Sequence, residues 1–299
     1  MIRIVRMTGL PVVSLLLVTA VAIGLDQAGY IPDTPLVTAI FALALFVAGV
    51  PHGSFDLALL RRAGGTGTTA QLVLLYLTCA TAMYLAWRIA PTLALATFLV
   101  MAVAHFADDW VDCGSRFIAN GIAAAIVAAP AILHGSSLRA LFVVLTGDAN
   151  AVVLADVLLL VGPVASAVAL VGLGLLWQAG RKGLAISAGC GLAAMLLLPP
   201  VLGFALFFCL VHSPMQFRSH ANALGLRGFK DWNRIVLPIS LGGLGVAGVI
   251  LVLNDCATMT TNVFTASFMT LSVLTAPHML MPMLADKMKL WIGVQEEPR

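Results

Sequence analysis

Residues 183–217 read GLAISAGCGLAAMLLLPPVLGFALFFCLVHSPMQF, and no aspartate, glutamate, lysine or arginine interrupts them. This run is too long for one membrane span and too short for two spans joined by a long loop. Pro199 and Pro200 lie at its middle, and two consecutive prolines break a helix. We therefore predict a tight helical hairpin of two spans that turns at Pro199-Pro200 on the outer side of a membrane.

The rest of the chain shares this apolar character. Hydrophobic residues make up 61% of the 299 residues and charged residues 10%, whereas a soluble domain carries about 25% charged residues. This composition excludes a soluble protein, a disordered chain and a nucleic-acid-binding module, so we expect no nucleic acid among the partners. The sequence predicts an all-α, polytopic transmembrane helical bundle, a single domain over residues 1–299 surrounded by membrane lipid in the cell membrane.

Ten spans follow from the apolar runs and from the positive charges. The predicted spans cover residues 10–25, 36–60, 70–88, 91–108, 117–134, 152–177, 183–198, 201–217, 236–253 and 262–284. With both termini inside, 14 of the 16 lysines and arginines lie in inner loops, which leaves only Arg88 and Arg139 outside. A single span over 183–217 would move every later basic residue outside, against the usual bias.

Four of the six histidines share a similar depth in this topology. His52, His105, His212 and His278 fall in the inner halves of spans two, four, eight and ten. A lone membrane histidine more often bridges two helices by a hydrogen bond, but four at one depth are expected to converge. The other two are expected elsewhere, His134 at the outer end of span five and His220 in a solvated inner loop.

Converging neutral imidazoles in a dry interior suit a first-row metal such as Fe, Cu or Zn. Ligating histidines usually need an acceptor for their second ring N–H, and carboxylates lie nearby in the sequence. Asp56 is four residues after His52, on the same helix face. Asp108 and Asp109 follow His105 by three and four residues, and the alternative is that they only end span four at the interface.

A glycine pattern in span nine has a simpler interpretation than a nucleotide site. Gly243, Gly245 and Gly248 match GxGxxG, but they lie inside an apolar run with no preceding soluble strand. We interpret them as glycines for close helix packing.

Four short motifs, in order, resemble one family of membrane enzymes. They are GVPHGSFD (49–56), HFADD (105–109), PP followed by FFCLVHS (199–200 and 207–213) and TAPHM (275–279). Together they are similar to the GxPHGAxD, HFG, PP…FCxxHS and TxPHM elements of the Brp/Blh-like β-carotene 15,15′-dioxygenase family. The resemblance covers residues 36 to 284.

The resemblance implies an integral membrane enzyme that splits β-carotene at its central double bond with O2, giving two retinal molecules. The resemblance also implies Fe(II) as cofactor, since enzymes of this family hold it with four histidines. Three of those four positions map onto His52, His105 and His212. The fourth position is Gln216 here, so Gln216, His278 or water is expected to complete the metal shell. Ala107 stands where the family has glycine, and Asp109 lies one residue early. Asp56 and Asp109 are the expected hydrogen-bond partners of the ligands, and no catalytic residue beyond the metal site is expected.

The sequence is compatible with two functions. The first is an Fe(II)-dependent dioxygenase acting on β-carotene or a similar apolar polyene, which enters sideways from the lipid, with a retinal-binding rhodopsin as consumer of the product. The second is a divergent, non-cleaving member that binds a carotenoid or retinoid, or assists a membrane complex. A transporter is a third class, but the sequence has no internal repeat.

Overall fold

Helices make up the architecture of the protein. The computed structural model describes residues 9–49, 52–56, 58–59, 69–226, 229–254 and 258–292. For residues 9–11, 52, 69, 229–232 and 281–292, only the backbone is described. No strand occurs in these segments, and the predicted all-α class is confirmed.

The helices follow one another through short connections. In chain order they are α1 (Gly9–Gln27), α2 (Pro35–Gly49), α3 (Thr69–Ile89), α4 (Pro91–Phe106), α5 (Arg116–Ala128), α6 (Pro130–Thr146), α7 (Val152–Gln178), α8 (Lys182–Leu197), α9 (Pro200–Phe207), α10 (Ser213–Leu224), α11 (Phe229–Leu253) and α12 (Met259–Ile292). Short 3-10 turns cover His52–Phe55, Ala107–Cys113 and Ala149–Ala151, and a π-helical turn covers Phe208–His212.

Most of these helices have the length and composition of membrane spans. Seven described helical segments are long and apolar enough to cross a bilayer, or up to eight if the bent pair α5 and α6 is one span. Two shorter apolar helices, Val12–Gln27 and Lys182–Leu197, occupy the places of the first and seventh predicted spans. The chain is therefore a polytopic helical bundle, whereas the count of ten spans and the inner location of both termini stay predictions.

The predicted hairpin over residues 183–217 is present. Leu198 is extended, with φ −103° and ψ 157°, and Pro200 occupies the first turn of α9, where a proline is tolerated. A Cβ atom added at Gly203 would lie 2.6 Å from the carbonyl oxygen of Ala194, so the backbones of α8 and α9 are in close contact. That the hairpin turns on the outer side stays a prediction.

Span five differs from its predicted extent. The helical chain continues to Thr146 instead of ending at residue 134, and it bends by 46° between α5 and α6. Pro130 causes the bend because its ring clashes with the preceding turn and it has no N–H to donate. His134 lies inside α6 with non-helical backbone angles, φ −119° and ψ 31°, rather than at the end of a span.

Glycines allow close packing at some helix contacts but not at the predicted GxGxxG pattern. A Cβ atom at Gly172 would lie 2.7 Å from Ile118 Cγ2, so α7 approaches α5 closely there. At Gly245 and Gly248, by contrast, no described atom lies within 4 Å of an added Cβ. The packing interpretation is wrong for these two glycines, because their face of α11 is exposed.

Polar cross-links between helices hold the half of the bundle that contains the histidines. Trp87 Nε1 donates to Ser272 Oγ at 2.5 Å and joins α3 to α12. Ser213 Oγ donates to the carbonyl oxygen of Ala48 at 3.2 Å and joins α10 to α2. Such bonds stabilise helix association in an apolar environment, so the backbones around the site have a defined register.

Candidate functional site

Three histidine rings meet where α4, the π turn and α12 pack together. The ring centre of His105, in the last turn of α4, lies 4.9 Å from that of His212 and 4.8 Å from that of His278. The planes are nearly perpendicular, at 78° and 86°. The structure therefore brings together three of the four histidines that were expected to converge.

The fourth of these histidines, His52, begins the 3-10 turn His52–Phe55, and its side chain lies outside the described residues. The turn itself passes beside α12. A Cβ atom added at Gly53 would lie 4.0 Å from the Cβ of His278. The backbone at Gly53 thus adjoins the histidine cluster.

His212 is completely buried and bound to a buried carboxylate. Its Nδ1 lies 2.7 Å from Asp109 Oδ2, with side-chain exposures of 0% and 1%. The carboxylate accepts the Nδ1–H, which fixes the tautomer and makes Nε2 the nitrogen through which a metal would bind. This is the arrangement in which a carboxylate orients a ligating histidine.

The π-helical turn Phe208–His212 presents His212 to the interior. Pro214 lies two residues after His212, and a proline cannot donate to the carbonyl four residues earlier. The backbone N–H of Ser213 bonds to the carbonyl oxygen of Phe208, five residues back. Such a turn inserts one residue into the helical register and often lies at functional sites.

Asp108 and Asp109 have opposite surroundings although they are neighbours in the chain. Asp108 is exposed and pairs with Arg116 at 2.8 Å, as expected for a residue that ends a span at the interface. Asp109 points inward because α4 gives way to the 3-10 turn Ala107–Cys113, which changes the direction of successive side chains. Its partner is His212, not His105 as the spacing suggested.

His278 has the same kind of partner as His212. Its Nδ1 lies 2.6 Å from Asp56 Oδ1, and both side chains are buried. The pairing expected from the sequence was Asp56 with His52 on one helix face. Asp56 instead reaches across to α12, because residues 52–55 form a 3-10 turn rather than a regular α-helix.

Gln216 lies behind Asp109, on the side away from the His212 ring. Its Nε2 donates to Asp109 Oδ1 at 2.8 Å, so the two oxygens of Asp109 hold Gln216 and His212. The amide nitrogen is the donor of the glutamine side chain, and it faces the carboxylate oxygen. In this arrangement Gln216 supports Asp109, and His278 is the better candidate for a further ligand.

His220 joins the cluster, contrary to its expected place in a solvated loop. It lies on α10, half-buried, with its ring centre 6.2 Å from that of His278 and 5.9 Å from that of Phe55. The prediction is wrong because α10 continues as a helix to Leu224. His220 is eight residues after His212, close to two full turns, which places both on one face.

Tyr76 is a further residue of the site that the sequence analysis missed. Its hydroxyl donates to the carbonyl oxygen of Leu274 at 3.1 Å, one helical turn before His278. A tyrosine hydroxyl within the apolar run 70–88 was the available signal, since buried hydroxyl groups find partners. Tyr76 holds α3 against the turn of α12 that carries His278.

The histidines form part of the wall of an apolar cavity of about 440 Å³. This volume is within the range of small-molecule sites. The wall otherwise consists mainly of aliphatic, aromatic and glycine residues, among them Phe46, Val73, Phe98, Phe204, Phe208 and Leu271. The cavity therefore suits an apolar ligand, one part of which would contact the imidazole rings.

The donor set is compatible with a first-row metal. Among the described side chains, no three histidine, cysteine or acidic groups are close enough together to hold a metal ion as they stand. The residue types fit such a metal, because the His105 ring contacts the rings of His212 and His278, and the latter two have a carboxylate on Nδ1.

Comparison with known proteins points to one family of enzymes. The family model described as beta-carotene 15,15′-dioxygenase matches residues 43–286. A beta-carotene 15,15′-dioxygenase from the uncultured marine bacterium 66A03 is 25% identical over 257 residues, which cover 80% of this chain and 90% of that protein. No solved structure matches the chain.

Proposed function

The chain belongs to the β-carotene 15,15′-dioxygenase family, and we propose that it cleaves β-carotene or a related carotenoid at the central double bond. The reaction consumes one O2 for each carotenoid, breaks one C=C bond and forms two C=O bonds. Cleavage of symmetrical β-carotene at this bond gives two molecules of retinal. The product would pass to a retinal-binding protein such as a rhodopsin in the same membrane.

One observation carries the proposal, namely that an apolar cavity has a cluster of carboxylate-bound histidines in its wall. A polyene has no polar group to recognise, so its site has to be shaped and apolar. The few polar groups in the wall then mark the place of the chemistry. The aromatic and aliphatic wall also excludes water from the reacting bond.

We assign Fe(II) to His105, His212 and His278, with His52 as the further ligand implied by the GVPHGSFD motif. Bound there, the iron would activate O2. The two carboxylates hold the histidines in place, because each accepts the Nδ1–H and so keeps Nε2 directed at the cluster. Gln216 in turn holds Asp109.

The carotenoid enters from the lipid, so no aqueous channel is needed. Gly242 on α11 belongs to the cavity wall and has no described atom within 4 Å of an added Cβ. A flat ring or chain can therefore lie directly on the α11 backbone. This contact is lost if a larger side chain replaces the glycine.

Expression in carotene-producing bacteria tests the proposed activity. Cells with the wild-type protein should lose their orange colour and accumulate retinal, whereas cells with His212→Ala should stay orange. The lipid-facing substitution Val164→Ala is the matched control and should behave as wild type, because Val164 is 68% exposed on α7. Wild-type cells that keep all their carotene and contain no retinal would contradict the proposal.

A second function rests on Gln216, which stands where the family pattern has a histidine. A protein with weaker metal binding could hold a carotenoid or retinoid without cleaving it. In that case the purified protein would contain intact carotenoid in the 440 Å³ cavity, and aerobic incubation with Fe(II) would leave it unchanged.

A further inference from the structure

The histidine cluster has different surroundings on its two sides. On one side, phenylalanine rings enclose His212, with the ring centre of Phe106 at 4.7 Å and that of Phe208 at 5.3 Å. On the other side, the ring of His278 is followed by that of His220 at 6.2 Å. His278 is buried and His220 is half-buried, so the row of imidazoles extends from the interior toward the end of α10.

Helix α10 is the most polar helix near the cluster. None of its side chains is fully buried, and Arg218, Ser219 and Asn222 are exposed. The positive-inside bias predicts that this end of the bundle faces the inner aqueous side. His220 therefore lies between the buried His278 and a water-facing helix end.

A metal ion cannot reach the cluster through the apolar cavity. The cavity wall is mainly aliphatic and aromatic, and an ion that leaves water for such surroundings without ligands loses its hydration with nothing in return. The proposed carotenoid route from the lipid is closed to a hydrated cation for the same reason. The iron therefore needs a route of its own, with a ligand at each step.

The distances along the row allow one ion to pass from ring to ring. A metal–imidazole nitrogen bond is about 2.1 Å long, so two rings that share an ion have their centres at most about 6.4 Å apart. The ring centres are 6.2 Å apart for His220 and His278, 4.8 Å for His278 and His105, and 4.9 Å for His105 and His212. Each ring can therefore bind the ion before the previous one releases it.

Asp56 supplies a negative charge beside this row. Its Oδ1 accepts the Nδ1–H of His278, whereas its Oδ2 is buried and has no hydrogen-bond partner among the described residues. Oδ2 lies 3.9 Å from a Cβ atom added at Gly53, and the nearby Phe55 contacts the His220 ring at 5.9 Å. A carboxylate in this position stabilises a cation that moves between His220 and His278.

We propose that His220 is the entry residue for the metal. It binds Fe(II) at the inner end of α10, with water in the remaining positions, and passes it to His278 and then to the buried cluster. His220 is thus a transient ligand that is absent from the final shell. This inference rests on the proposed function, because it assumes that the ion ends at His105, His212 and His278.

An entry residue has a kinetic effect that a permanent ligand does not have. Uptake and release follow the same path in opposite directions, so loss of the entry residue slows both by the same factor. The equilibrium affinity then stays as it was. Loss of a permanent ligand instead lowers the affinity, and a packing defect lowers the stability of the fold.

The rates of metal uptake and release test the proposal. Chelator-treated full-length protein in detergent is mixed with Co(II), whose visible absorption reports binding, and release is followed after a chelator is added. His220→Ala should slow both steps about tenfold, the lower end of effects typical for a lost group at a metal site, and leave the affinity unchanged. Wild-type rates, or a lower affinity, would overturn the proposal.

His134→Ala is the matched control, because His134 is also half-buried but lies on α6, away from the cluster. It should take up and release Co(II) at wild-type rates. If His220→Ala fails to fold, His220→Gln replaces it, since glutamine keeps a polar side chain but is a poor metal ligand. The same equal slowing of both steps is expected.

A thiolate in place of the imidazole makes the entry step visible. Thiolates bind first-row metals, and a thiolate bound to Co(II) absorbs strongly in the near ultraviolet. In His220→Cys this absorption should rise first and then decay while the visible bands of the histidine-bound ion grow. A residue with only a packing role gives no such transient, so its absence from folded His220→Cys would overturn the proposal.

The same preparations separate this inference from the proposed function. Wild-type protein that binds neither Co(II) nor Fe(II) would refute the metal assignment and the entry route together. Uptake that does not depend on His220, with retinal formed by the Fe(II)-loaded wild type, would refute only the entry route. Uptake slowed in the His220 variants, with no retinal formed by the loaded wild type, would support the entry route and refute the cleavage.

Discussion

Asp109 is the residue on which the site depends most. Its two carboxylate oxygens hold His212 Nδ1 at 2.7 Å and Gln216 Nε2 at 2.8 Å, and its side chain is almost fully buried. One carboxylate thus sets the tautomer of a histidine and the position of the helix that follows it. A buried network of this kind is rigid when all its groups are bonded.

Asp109→Asn should lower iron affinity by about 10- to 100-fold, as is typical for the loss of a ligand's hydrogen-bond partner. The asparagine can present an N–H to His212, which favours the wrong tautomer. Iron content at fixed free Fe(II) is the measurement. Asp108→Asn is the matched control, because Asp108 is exposed and bonds to Arg116; an equal loss of iron in both variants would contradict the assigned role.

Iron content also tests whether His278 or Gln216 is the further ligand. If the proposed ligand set is right, His278→Ala should remove most of the bound iron, whereas Gln216→Ala should keep most of it and lose only the support of Asp109. The reverse pattern, with iron lost only from Gln216→Ala, would show that Gln216 is the ligand.

The histidines were predictable from the sequence, but their partners were not. The depth of each histidine follows from counting residues to the inner end of its predicted span. This count was sufficient to group His105, His212 and His278. The carboxylate pairs Asp56–His278 and Asp109–His212 depend on the register between distant helices, which residue spacing cannot give. The side chain of His52 lies outside the described residues, so its ligand role stays a prediction.

At the scale of the helices, the 183–217 hairpin brings His212, which lies between α9 and α10, into the bundle. Gly203 is where α9 approaches α8, with room for a hydrogen but not for a methyl group. The contact is to the backbone oxygen of Ala194, which cannot move aside as a flexible side chain could. The hairpin therefore tolerates little change at this residue.

Gly203→Ala should destabilise the protein by about 1–3 kcal/mol, as overpacking does. Gly174→Ala is the control, because no described atom lies within 4 Å of an added Cβ there. It should be neutral or stabilise by up to about 1 kcal/mol, since alanine favours a helix. Thermal unfolding in detergent measures both, and equal effects would contradict the close helix contact.

Most of the helices could be predicted from the sequence. Prolines explain both the helix break that was predicted and the bend that was missed. Pro199 and Pro200 marked a break because they fall between two apolar runs. Pro130 falls inside one run, so its bend was missed, and the polar residues Ser136, Ser137 and Arg139 lowered the hydropathy of α6. The 3-10 and π turns have no pattern of their own in the sequence.

At the scale of the whole molecule, the orientation in the membrane determines the depth of the histidines. The positive-inside bias places residues 218–234 on the inner side. A reporter fused after Leu226 should therefore behave as cytoplasmic, and one fused after Asn254 as external. A cytoplasmic signal from both fusions would contradict the predicted orientation of α11.

The fold places the histidine cluster in an apolar part of the bundle. The helices that carry the histidines also carry the aromatic wall of the cavity, so the imidazoles and the wall have one rigid frame. The composition predicted the bundle, and the motif order predicted the family. The histidine cavity could not be predicted, because it arises from side-chain gaps between helices.

Product stoichiometry tests the proposed function most directly. Purified protein is incubated with Fe(II), O2 and β-carotene, and the products are separated by chromatography. We expect two molecules of retinal for each β-carotene consumed, no other apocarotenal, and no retinal from His212→Ala. Intact β-carotene with iron-loaded wild type, fragments of unequal length, or undiminished cleavage by His212→Ala would contradict central cleavage at the histidine cluster.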